Sequence, residues 1–150
     1  MNNGYVYIAS PYSHGDASVR EERYDQVCKK AAHLMMQGYT VFSPIAHSHP
    51  IARFLPDSLL LHTEFWMNQD LPILMEAEKL IVLLLPWWQK SKGLKREIEF
   101  ALPLDIPVET HDMDGVWYPD GCSAEEYLIR ELGIQVHRCM NAIGVGPEVA

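Results

Sequence analysis

"KLIVLLLP", residues 79–86, sets six apolar side chains in an unbroken row between a lysine and a proline. A strand with one wet face alternates apolar and polar residues. An unbroken run of this kind is the pattern of a central parallel strand covered on both faces. Parallel neighbours require crossover connections, and the flanking chain supplies the pieces. "YVYIAS" (5–10), "YTVFSP" (39–44) and "IPVETH" (106–111) read as further strands, carrying aromatic and β-branched residues.

Helices alternate with these strands. Tyr24, Val27, Cys28, Ala31, Leu34 and Met35 recur at helical spacing between Val19 and Gln37, with Asp16 or Ser18 as the cap and Gly38 as the stop. "IAHSHPIARFLPDS" (45–58) reads as a long loop. Leu59 to Asn68 reads as a helix, and Pro72 is expected to interrupt it, so that a second helix runs from near Asp70 to Glu78. Gly93 to Leu102 is helical, with Leu94, Ile98 and Ala101 sharing a buried face. Ser123 and Glu126 form a capping box for a last helix that ends at Leu132.

The order β-α-β-(α-α)-β-α-β-α predicts an α/β three-layer sandwich around a central parallel sheet. The sheet has four strands, or five if the turn-rich connector "DMDGVWYPDGCS" (112–123) adds one. One domain is expected over residues 1–132, followed by a tail, 133–150, without a clear period. In such sheets ligands bind beyond the carboxyl ends of the strands. That singles out three loops: Ser10 to Ser18, Pro44 to Phe54, and Pro86 to Gly93.

Composition narrows the function. The chain has 150 residues, 48% hydrophobic and 21% charged, with a net charge of -8, so no basic face is available for a nucleic acid polymer. Three cysteines, Cys28, Cys122 and Cys139, form no CxxC pair and read as reduced thiols of a cytoplasmic protein. The N-terminus lacks a basic n-region, so no export signal is expected, and the apolar run Leu80 to Trp88 is too short to span a membrane. There is no GxxxxGK[ST] loop and no GxGxxG, which leaves large nucleoside-triphosphate and dinucleotide sites unsupported. His47 and His49 would need His14 or His62 to complete a metal site, and no spacing pattern supports that; no metal and no cofactor is expected.

The strongest chemical signal is "SKGLKRE", Ser91 to Glu97. Ser91 and Gly93 stand at a helix start, where free N–H groups and the helix dipole favour an anion. Glu97 lies one turn after Gly93 on the same side, so the glycine leaves room for a ligand between backbone and carboxylate. A carboxylate so placed suits attack at a sugar anomeric carbon; as a plain flank of the apolar stripe it would be solvated. Asp70 by itself reads as a helix N-terminal acid that satisfies the dipole, ahead of a carboxylate entering the same pocket. Tyr12, Trp87 and Trp88 are candidates to stack a base.

Together, "YIASPY" (7–12), "NQD" (68–70) and "SKGLKRE" (91–97) resemble the motifs of the nucleoside 2-deoxyribosyltransferase superfamily, which includes nucleoside 5'-monophosphate N-glycosidases. The likeness covers roughly the first 110 residues. It implies a small flavodoxin-like, Rossmann-like fold and a nucleotide or nucleoside substrate. It implies no cofactor and a homo-oligomer, dimer or larger. By position it makes Glu97 the nucleophile or transition-state carboxylate. Asp70 becomes the acid that holds sugar hydroxyls or assists the leaving base, and Tyr7 the residue that orients the carboxylate. Ser10 and His47 fall where such proteins line the pocket. Base-exchanging transferases of this kind usually open the last motif with Asp, whereas the monophosphate hydrolases open it with Ser. Ser91 therefore favours hydrolysis of the base–sugar bond of a (deoxy)nucleoside 5'-monophosphate. Base exchange by a deoxyribosyltransferase, or a non-catalytic nucleotide-binding module, are the alternatives.

Overall fold

The computed structural model describes residues 4–136. Four parallel strands, β1 (Val6–Ala9), β2 (Val41–Phe42), β3 (Lys79–Leu83) and β4 (Val108–His111), form one sheet in the order β2-β1-β3-β4. Helices α1 (Ala17–Met36), α2 (Pro44–Ala52), α3 (Thr63–Met75), α4 (Lys92–Ala101) and α5 (Ala124–Leu132) connect and follow them. This is a flavodoxin-like, Rossmann-like three-layer arrangement, and its strand order reverses between β1 and β3, with β2 added on one side of β1 and β3 on the other.

The unbroken apolar run of β3 is explained by two cores. Ile81 and Leu83, with Val6 and Ile8 of β1, pack against Val27, Ala31 and Leu34 of α1. Leu80 and Val82, with Tyr7 and Ala9, pack against Leu74 of α3, Leu94 and Ile98 of α4, and Leu128 and Leu132 of α5. Each strand residue is thus buried on one side of the sheet or the other, and no polar alternation is possible.

Two helical expectations change. The first part of the expected loop 45–58 is helix α2, which ends at Ala52 and leaves turns after it: Ser43 accepts the N–H of Ala46 at 3.1 Å and Pro44 occupies the first position of α2. Ser-Pro is a good cap pair, because proline's missing N–H is unneeded there and its φ suits a helix. The expected break at Pro72 is absent as well, and α3 runs through it. Pro72 removes one N–H from the helix ladder. The buried positions Met67, Asp70 and Leu74 lie on one face and carry the helix past that loss.

The connector adds no fifth strand; it forms a single antiparallel bridge, His111 to Val116. The capping box of α5 is present in both directions, Glu126 N–H to Ser123 Oγ at 3.0 Å and Ser123 N–H to Glu126 Oε1 at 3.1 Å. Ile134, after α5, is buried in the same core as Leu128. From residue 137 onward the expected tail lies outside the described residues. Among the described residues, no helix is long and apolar enough to cross a membrane.

Candidate active site

A cavity of about 360 Å³ opens at the carboxyl ends of β1, β2 and β3. Its walls come from opposite layers of the sandwich. Trp66, Met67 and Asp70 of α3, with Gly93, Leu94 and Glu97 of α4, form one wall. Tyr12 and His14 of the β1–α1 loop, with Ile45, Ser48, His49 and Ala52 of α2, form the other. All three loops singled out by the β/α alternation contribute.

Glu97 is not a solvated flank residue. It is 4% exposed, buried with Leu94, Ile98 and Ala101 on the inner side of α4. The Tyr7 hydroxyl, reaching across from β1, donates to Glu97 Oε2. Burial pushes the Glu97 carboxyl up to about 8; the Tyr7 hydrogen bond pulls it down and the charge of Asp70 pushes it further up. Asp70 is 7% exposed, and burial lifts its carboxyl to about 7. The Tyr7 phenol is driven far above its ordinary value by burial and then by the charges of Glu97 and Asp70, so it stays a donor. Burial thus brings two carboxyls on one cavity wall to titrate near neutrality, an arrangement that suits acid–base or nucleophilic chemistry.

The remaining expected residues divide. Ser10 lines the cavity, is buried, and its Oγ has no partner among the described residues, so it can bond a ligand. Gly93 lines the cavity too; a Cβ there would meet the Met67 Cε at 3.7 Å, an ordinary contact, so folding does not demand a glycine. Ser91 caps α4, its Oγ accepting the Leu94 N–H at 3.2 Å, while its own hydroxyl proton stays available beside the open first turn of the helix. Tyr12 lines the cavity, bonded at 2.6 Å to His49 Nδ1. His47 does not line it: its ring packs on Phe42 with centroids 5.9 Å apart, and Ser48 and His49 face the cavity instead. In a helix Ile45, Ser48, His49 and Ala52 share one face, a pattern that is invisible while the segment is taken for a loop.

Of the tryptophans, Trp88 is buried next to Tyr127, and Trp87 is 72% exposed with a left-handed φ of 68°. The aromatic side chain that lines the main cavity from α3 is Trp66, which sequence reading did not single out. Nor did it single out the basic corner. The first loop carries no arginine, yet Arg23 of α1 reaches back to it and donates to the carbonyls of Tyr12 at 3.3 Å and Ser13 at 3.1 Å. Arg23 also lines a smaller adjoining cavity with His14, Lys90 and Ser91. Only the folded position of α1 brings this arginine to the Ser91 end of the site.

The other histidines are engaged locally. His14 Nδ1 accepts the Asp16 N–H at 3.0 Å, and His62 Nδ1 caps α3 by accepting the Phe65 N–H at 3.1 Å. Among the described residues, no group of three or more His, Cys, Asp or Glu side chains is placed to hold a metal ion.

Comparison with known proteins adds two findings. A family profile described as "Domain of unknown function (DUF1937)" matches residues 4–113, which takes in every site residue named above. Among solved structures, the chain is similar to a 2-deoxyribosyltransferase from the psychrotolerant bacterium Bacillus psychrosaccharolyticus. Identity is 21% and the TM-score 0.55, over 95% of this chain and 92% of that one. At that identity the likeness is one of fold. No curated protein matches the chain.

Proposed function

The chain belongs to the DUF1937 family, a domain of unknown function, and from that premise we propose that it hydrolyses the base–sugar bond of a (deoxy)nucleoside 5'-monophosphate. The observation that carries this reading is the buried Glu97, gripped by Tyr7 beside the buried Asp70, on the wall of a cavity of nucleotide size.

In this mechanism ionised Glu97 attacks the anomeric carbon and the base departs. Water then hydrolyses the glycosyl–enzyme ester. Tyr7 occupies Oε2, which leaves Oε1 for the attack. The Asp70 charge is felt by Glu97, and Asp70, on the same cavity wall, holds a sugar hydroxyl beside the reacting carbon. Ser10 offers its unpartnered hydroxyl to the same sugar. Ser91, the open N–H groups of α4 and the side chains of Lys90 and Arg23 form the end that suits a 5'-phosphate.

The test is a panel of nucleosides and their 5'-monophosphates, with products separated by chromatography. Free base and sugar phosphate are expected from the monophosphates. Absence of free base across the whole panel would sink the reading. The fold likeness to a 2-deoxyribosyltransferase favours base exchange as the second reading. An added acceptor base distinguishes the two, since exchange yields a new nucleoside or nucleotide and hydrolysis does not.

Tyr7→Phe tests the orienting bond. A hydrogen bond to a charged group is worth about 1.5–3 kcal/mol, so kcat is expected to fall roughly 10- to 100-fold. Because that bond lowers the Glu97 carboxyl, its loss moves the rising limb of the rate–pH profile to higher pH. An unmoved limb would show that Tyr7 does not tune Glu97.

A further inference from the structure

The wall that faces Glu97 carries a hydrogen-bonded chain that the mechanism above leaves unused. The Tyr12 hydroxyl lies 2.6 Å from His49 Nδ1, and His49 Nε2 lies 3.0 Å from Glu21 Oε1. His49 stacks on Tyr24, ring centroids 4.1 Å apart, which holds the imidazole in place. The His49 side chain is 19% exposed and that of Glu21 61%, so the chain leads from the cavity to solvent.

Departure of a nucleobase leaves charge on a ring nitrogen, and a proton must reach it. The geometry points to Tyr12 as the acid that protonates the departing base, with His49 and Glu21 as positioning residues that resupply its proton. This inference rests on the glycosidase reading and adds to it.

Topology places the acid where it is needed. Glu97 and Asp70 stand on the wall built by α3 and α4, which cover one face of the sheet. Tyr12 and His49 stand on the wall built with α1 and α2, on the other side. Displacement by Glu97 drives the base away from Glu97, and so toward Tyr12.

The protons balance. With Glu21 holding Nε2–H, the imidazolium form of His49 donates Nδ1–H to the Tyr12 oxygen, and the Tyr12 proton faces the cavity. As the C1'–N bond breaks and its electron pair moves to the base, the base nitrogen takes the Tyr12 proton. Tyr12 takes the Nδ1 proton, and His49 becomes neutral. When water attacks C1' and expels Glu97, its proton returns by the same route and restores the imidazolium. Burial holds the Tyr12 phenol above its ordinary value, with the Glu21 charge adding to that and Arg20 opposing it, so Tyr12 keeps its proton until the base draws it.

The test compares nucleoside 5'-monophosphates with bases of graded leaving ability, ending with an N7-methylated purine, whose base departs without needing a proton. Tyr12→Phe is expected to lose about 100-fold in kcat on unmodified bases and less than about fivefold on the methylated one. His49→Gln and Glu21→Gln are expected to show smaller losses with the same contrast. Equal losses on all bases, or no loss on unmodified ones, would overturn the assignment while the glycosidase reading stands. Wild-type protein that releases no base from any substrate would overturn both.

Discussion

Exchanging Glu97 for glutamine is expected to abolish base release, with kcat down at least about 10³-fold, as for loss of other enzyme nucleophiles. The fold is expected to survive, because glutamine matches the neutral carboxyl in shape and its carbonyl still accepts the Tyr7 hydroxyl proton. Stability should move the other way from activity. The folded Glu97 titrates at about 8 against an ordinary 4.5, and the folded Asp70 at about 7 against 3.8. Between those values the folded state binds more protons than the unfolded state, so stability is fully present at low pH and is lost as pH rises through the folded values. Glutamine removes the share due to Glu97. The variant should therefore melt several degrees above wild type at pH 8, with the gap closing toward pH 4.5. Wild-type turnover, which needs ionised Glu97, should rise across the same window up to about 8. Rate–pH profiles and melts at the two ends of the window check both signs. A folded Glu97→Gln protein with normal turnover would remove Glu97 from the chemistry.

Ser91→Asp is expected to turn the site against nucleotides. Aspartate caps a helix as well as serine does, so α4 should form unchanged. Its charge would stand beside the 5'-phosphate. At about 4 Å in a partly shielded site, two like charges repel by about 4 kcal/mol, which corresponds to roughly 10²- to 10³-fold in affinity. KM for a 5'-monophosphate should rise by about that factor, while KM for the parent nucleoside stays within about threefold. An unchanged KM for the monophosphate would place the phosphate elsewhere. An equal loss on both substrates would mean that the helix start itself had shifted.

The two variants probe features of different legibility. Ser91 could be named from the chain alone, since a serine followed by glycine and an amphipathic repeat is a local signal of a helix start. Glu97 could be nominated from its spacing to Gly93 and from the resemblance of the three motifs. Its burial could not be read, because the flank of an apolar stripe is wet or dry according to what packs on it. Tyr7 and α3 make it dry. The same reason accounts for His47 and His49. The resemblance put His47 at the pocket, and only the helix they occupy turns His49 into the cavity and His47 onto Phe42. Pro72 misled for a related reason, since its local cost is outweighed by the buried face of Met67, Asp70 and Leu74.

The chain's own pattern carries the parallel α/β order, in the unbroken apolar run at Leu80 to Leu85, and the three loops that had to share an edge of the sheet. Both follow from periodicity and alternation along the chain, which are local properties. The folded chain is what brings Arg23 to the Ser91 end and lines up Tyr12, His49 and Glu21 on the opposite wall. Hydrogen bonds, burial and the resulting titration depend on distances between segments far apart in the chain, and no spacing within one segment encodes those.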